Sequence, residues 1–178
     1  STQVKDARFA WVAIKKPENK KDIFNQCNFT LEVSKGSLDI NTVIRNGHIT
    51  DKARPIGVFY EKLRSKPHVF LEIIKKIKRD AGIVVCKRLP KTGNRIMPGN
   101  EKWMDFFDMR LKDITSSEDI GYLRSVLKKA DVAPAMPGVH IRYSIDRGEK
   151  ILTESEALEK DIIEAIVGFD PILAYLEA

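Results

Sequence analysis

At 178 residues the chain is long enough for one ordinary domain with a real core, so neither a metal nor a disulfide framework is required. Hydrophobic residues make up 43% and charged residues 31%, which excludes a disordered tail, and no apolar run approaches the roughly 18–20 residues that span a bilayer. The net charge of +6 is unevenly divided: residues 1–90 hold 19 Lys and Arg against 9 Asp and Glu, residues 91–178 hold 12 against 16.

Arg8 to Ile14, rich in aromatic and β-branched residues and closed by Lys15-Lys16-Pro17, predicts a first strand. Asn28 to Ser34 alternates apolar and polar residues, the pattern of a strand with one buried and one wet face, and Gly36 ends the unit. The segment 37–50, around Leu38, Ile40, Val43 and Ile44, reads as a short helix or an irregular connector. A helix is expected over about 52–66. A second, about 67–80, starts at Pro67 and repeats Val69, Phe70, Ile73, Ile74 and Ile77 on one face. Ile83 to Cys86 reads as a short buried strand.

Residues 90–100 are the most turn-rich stretch and predict a surface loop. Asn100 is placed to cap a helix bearing Trp103, Phe106 and Phe107, and Thr115-Ser116-Ser117-Glu118 carries a capping-box pattern for the next. Val139, Ile141, Tyr143 and Ile145 alternate with His140, Arg142, Ser144 and Asp146, which predicts a second amphipathic strand. A helix then starts at the capping box Thr153 to Glu156 and is expected to stop at Gly168, with a last short helix restarting at Asp170-Pro171. The expected fold is a single α+β domain over 1–178, a small, mostly antiparallel sheet of about four strands packed with five or six helices.

No catalytic motif emerges. His48, His68 and His140 are far apart, and neither Cys27 nor Cys86 has a CxxC partner, so no metal site and no cofactor is expected. The two cysteines read as buried free thiols rather than a bridge; with no apolar signal at residues 1–5, the expected location is cytoplasmic and reducing. His48-Ile49-Thr50 matches one half of a paired H-x-[ST] phosphoesterase motif, but no second copy exists. Ile83 to Lys87 resembles the catalytic strand of metal-dependent nucleases, yet Val85 stands where the metal-holding acid is needed. Lys91 to Arg95 has the ingredients of an anion-contacting loop without matching a phosphate-loop pattern. The strand–Lys-Pro–strand order of residues 8–33 resembles the opening of phage single-stranded-DNA-binding proteins; the rest of the chain departs from that pattern, so no family assignment follows.

The positive signal is charge. Between Lys52 and Lys91 lie twelve basic residues and three acidic ones, interleaved with Phe59, Tyr60 and Phe70. Such a stretch predicts a nucleic-acid-binding protein, for single-stranded RNA or DNA with largely sequence-independent phosphate contacts, of viral or phage type and self-associating. Lys75, Lys76, Lys78, Arg79, Lys87 and Arg88 are the expected phosphate contacts, Lys91 and Arg95 contribute from the loop, and Tyr60, off the apolar stripe, is the stacking candidate. His140 and Arg142 would extend the helix cations into one shared surface. The acidic segment 151–178, one lysine against seven acids, is either an ordinary amphipathic helix or a contact for the basic face of a second copy, with Ile172, Leu173, Tyr175 and Leu176 supporting the latter. Two alternatives stand beside this reading: an assembly or matrix-like protein binding acidic partners or a membrane surface, and an enzyme with a dispersed site at His140, Arg142 and Asp146.

Overall fold

The computed structural model describes residues 9–14, 27–34, 36–45, 55–90, 101–130, 136–146 and 155–177. In chain order the elements are β1 (Phe9–Ile14), β2 (Asn28–Ser34), β3 (Ser37–Arg45), α1 (Pro55–Ser65), α2 (Pro67–Lys76), β4 (Gly82–Pro90), β5 (Glu101–Arg110), α3 (Ser117–Ala130), β6 (Met136–Asp146) and α4 (Ser155–Glu177). The class is α+β, as the alternating strands imply. The sheet is larger than expected, six strands in the order β1-β2-β3-β6-β4-β5, and every neighbouring pair is antiparallel. β6, late in sequence, fills the centre between β3 and β4.

Register sorts the strands into two faces. Leu31 pairs with Ile40, Ile40 with Tyr143, Ile44 with Val139, Ile141 with Ile83 and Val139 with Val85; these residues build the core with the helices. α1, α3 and α4 pack on that face, and α2 packs over α1 and α4. Phe70 of α2 joins the helices by ring contacts, 5.5 Å from Phe59 and 5.8 Å from Tyr175 between centroids. The opposite face carries Asn28, Thr30, Glu32, Asp39, Asn41, His140, Arg142 and Ser144.

Three expectations are corrected. The segment read as a helix or connector is the nine-residue strand β3. Its alternation was masked because Thr42, fully buried, sits on the apolar face while Val43 sits on the polar one. The helix expected at Trp103, Phe106 and Phe107 is strand β5. There the register shifts, Val85 facing Phe107 and Cys86 facing Asp105, so Phe106 is an extra residue without a cross-strand partner. One inserted residue converts a period of two into an i, i+3, i+4 pattern that imitates a helix.

The third correction is α4, which runs unbroken for 23 residues through Gly168 and Pro171. Ala165, Phe169, Ile172 and Leu176 form one buried face, and packing that face outweighs the two helix breakers. Pro171 removes the donor that would bond the Val167 carbonyl. Val167 is on the solvent side, where water replaces that bond at low cost. The described residues therefore form four α-helices, fewer than the five or six expected.

Smaller features follow the sequence closely. Pro67 sits in the first turn of α2. The cap of α3 is reciprocal: Ser116 Oγ accepts from the Asp119 amide at 3.2 Å, and the Asp119 carboxylate accepts from the Ser116 amide at 2.9 Å. This is the expected capping box moved one residue on. The Thr115 amide donates to the same carboxylate, and these donors hold the Asp119 carboxyl below its usual range. Cys27 and Cys86 are not joined in a disulfide.

Candidate nucleic-acid interface

The apolar stripe of α2 turns Phe70, Leu71 and Ile74 into the core, which leaves Lys75 and Lys76 on its solvent side. Both lie in the last turn, where the helix dipole favours cations. Lys66, Lys75, Lys76 and Lys78 are exposed and make no ion pair among the described residues. Other cations of the segment are engaged. Arg64 pairs with Glu61 at 2.6 Å, and the Lys62 ammonium lies 5.7 Å from the centroid of the Tyr175 ring.

Arg79 behaves differently from Lys78 beside it. Its guanidinium is held by Asp161 and, at 2.7 Å, by Glu164, both on α4, and it lies 5.2 Å from the centroid of the Tyr143 ring. Burial raises the Tyr143 hydroxyl above its ordinary pKa, and the nearby Asp161 charge adds to that. Arg79 is therefore a clamp between the end of α2 and α4. Tyr60 is also engaged within the chain: it is half-buried, the Arg124 guanidinium stands 4.9 Å from its ring centroid, and Arg124 donates to its hydroxyl at 3.3 Å.

Lys87 lies five residues along β4 from Gly82, about 17 Å from the strand's beginning. Its ammonium sits 3.9 Å from the centroid of the Phe106 ring and donates to the Lys129 carbonyl of α3 at 3.3 Å. Arg88 stands in register opposite Trp103 and Met136. Lys91 and Arg95 lie outside the described residues, as do His48 and Thr153.

Around Lys87 is a surface that the sequence did not reveal. Met104 is 47% exposed, Phe106 39% and Tyr122 54%, and Tyr122 meets Phe107 edge-on at 5.8 Å. Reading Phe106 and Tyr122 as residues of two helices hid their relation. The Phe106-Phe107 doublet was the available signal, since two adjacent rings cannot both follow strand alternation.

On the other side of the sheet, Arg142 lies 3.6 Å from Asp108, and its register partners are Asn41 and Gly82. Gly82 fits a close approach here: a Cβ would stand 3.3 Å from the Asp108 carboxylate, which would have to shift by a few tenths of an ångström, and 3.4 Å from the Met109 carbonyl. His140, Arg142 and Asp146 do share a face, but Asp146 stands four residues from Arg142, about 13 Å along the strand. Glu32, Asp39 and Asp108 make this face mixed in sign. The helices occupy the opposite face, so the expectation that sheet and helix cations share one surface is corrected. Register alone separates them.

The acidic helix α4 is packed within its own chain. Ile172, Leu173, Tyr175 and Leu176, the apolar tail that pointed to contact with a second copy, are all buried in the core. Among the described residues no helix is long and apolar enough to cross a membrane, and no three His, Cys, Asp or Glu side chains are grouped to hold a metal. No protein-family model, curated protein or solved structure matches the chain.

Proposed function

We propose that this protein binds nucleic acid through the phosphate backbone, without reading sequence, using the exposed lysines at the two ends of α2. The observation that carries the reading is the group Lys66, Lys75, Lys76 and Lys78: four exposed cations with no ion pair among the described residues, three of them within four positions. Solvated lysines of this kind draw polyanions by their field and release counterions when phosphates replace them. Arg79 is not part of the contact set, because Asp161 and Glu164 already neutralise it.

The test is fluorescence anisotropy of a labelled oligonucleotide as salt is varied. On a single strand each neutralised phosphate contributes about −0.7 to the slope of log affinity against log salt. The triple variant Lys75→Glu, Lys76→Glu, Lys78→Glu should therefore flatten the slope by about 2 and weaken binding at low salt. Absence of binding at roughly 50 mM salt, or binding indifferent to salt, overturns the proposal. Co-sedimentation with anionic vesicles when the oligonucleotide stays free would overturn it in favour of a membrane-surface role.

A further inference from the structure

Three of the six exposed large hydrophobic side chains of the described residues, Met104, Phe106 and Tyr122, belong to β5 and α3, and Tyr122 touches Phe107, the residue after Phe106. The bulge is the cause. With Phe107 taken by register opposite Val85, the extra residue Phe106 is turned out to solvent beside Lys87. Tyr122 and Lys129 are seven residues apart on α3, two turns or about 10.5 Å, and so share its outward face. The hydrogen bond from Lys87 to the Lys129 carbonyl ties the bulge to the far end of that face. Phe106, Tyr122 and the Lys87 ammonium thus line one ledge, with the exposed Lys129 at its end.

We infer that this ledge stacks unpaired bases on Phe106 and Tyr122 while Lys87 and Lys129 meet the adjoining phosphates, so that the protein takes single-stranded rather than duplex nucleic acid. The inference rests on the phosphate-binding reading above and adds a site to it. Single-strand grooves combine cations along the backbone path with aromatic faces that accept any base, and a base inside a duplex has no face to offer. Charge decides against an apolar protein partner. The centre of a protein–protein patch is depleted of charge, whereas here the Lys87 ammonium lies 3.9 Å from the centroid of the Phe106 ring, over one of its two faces. The neighbouring acids Asp105 and Asp108 fall on the other sheet face by register, which leaves Glu118, one turn before Tyr122, as the acid on the same face of α3.

The experiment compares a labelled single strand with a hairpin duplex of equal length, at one salt concentration, for the wild-type chain and the variants Phe106→Leu, Tyr122→Leu and Phe106→Trp. Leucine keeps apolar bulk, including the contact with Phe107, and removes the π face; circular dichroism melting confirms that each variant is folded. The wild type should prefer the single strand by at least about tenfold. Each leucine variant should lose about tenfold on the single strand, with the duplex affinity and the salt slope unchanged, and Phe106→Trp should retain binding. Equal affinity for both forms, or leucine variants that bind the single strand like the wild type, overturns the ledge and leaves the phosphate reading standing. Binding to neither form overturns both.

Discussion

Replacing Arg79 by methionine tests the clamp between the end of α2 and α4. The Asp161 side chain is 6% exposed and that of Arg79 22%, so the variant leaves a carboxylate in the protein interior without its cation. Among the described residues Asp161 Oδ2 is buried with no hydrogen-bond partner, and the guanidinium is the cation that compensates the charge, with the Tyr143 hydroxyl beside the carboxylate. Breaking a buried pair costs about 3–5 kcal/mol. The exposure of Glu164 and part of Arg79 admits water, so about 3 kcal/mol is expected, or a fall in Tm of about 6–12 °C for a chain of this size. Urea unfolding followed by far-ultraviolet circular dichroism measures it. Adding Asp161→Leu should recover most of the loss, because an apolar pair has no charge to desolvate. A cost below about 1 kcal/mol, or a double variant no more stable than the single, refutes the clamp. Arg79→Met should also leave the oligonucleotide salt slope unchanged.

Two further outcomes follow from α4. Among the described residues, the helix's own backbone apart, no atom lies within 4 Å of a Cβ built on Gly168, so Gly168→Ala should stabilise the chain by about 0.5–1 kcal/mol, read as a higher urea midpoint; a lower midpoint would mean the helix is not continuous there. Burial pushes the Tyr175 hydroxyl from 10.0 up to about 12, so the folded state favours the neutral phenol. Its contribution is complete below pH 10 and is lost as pH rises towards 12. Tyr175→Phe should remove that part of the alkaline loss, at a cost near 1 kcal/mol at neutral pH for the hydrogen bond to the Lys66 carbonyl; an unaltered alkaline profile would contradict the assignment.

The elements legible in the sequence were those whose pattern is uninterrupted. β2, β6 and the apolar faces of α1, α2 and α3 carry clean periods of two or 3.6, and the structure forms all of them. The misread elements are those where one residue departs from the period for a tertiary reason. Thr42 and Val43 exchange expected polarities because β3 is buried on both faces, and Phe106 is inserted at a bulge. Gly168 and Pro171 are carried through α4 by the packing of Phe169 and Ile172.

By itself the sequence determined the α+β class, the uneven charge and the stretch from Lys66 to Lys78, because composition and local periodicity are properties of neighbouring residues. Only the tertiary structure decided which cations face solvent. Arg79 and Lys78 are adjacent and chemically alike, yet one is clamped by acids 82 and 85 positions later in the chain and the other carries no ion pair among the described residues. It also drew together Phe106, Tyr122, Lys87 and Lys129 and set Arg142 on the opposite side of the sheet. Strand register and helix packing bring distant residues side by side, and a local pattern carries no record of either.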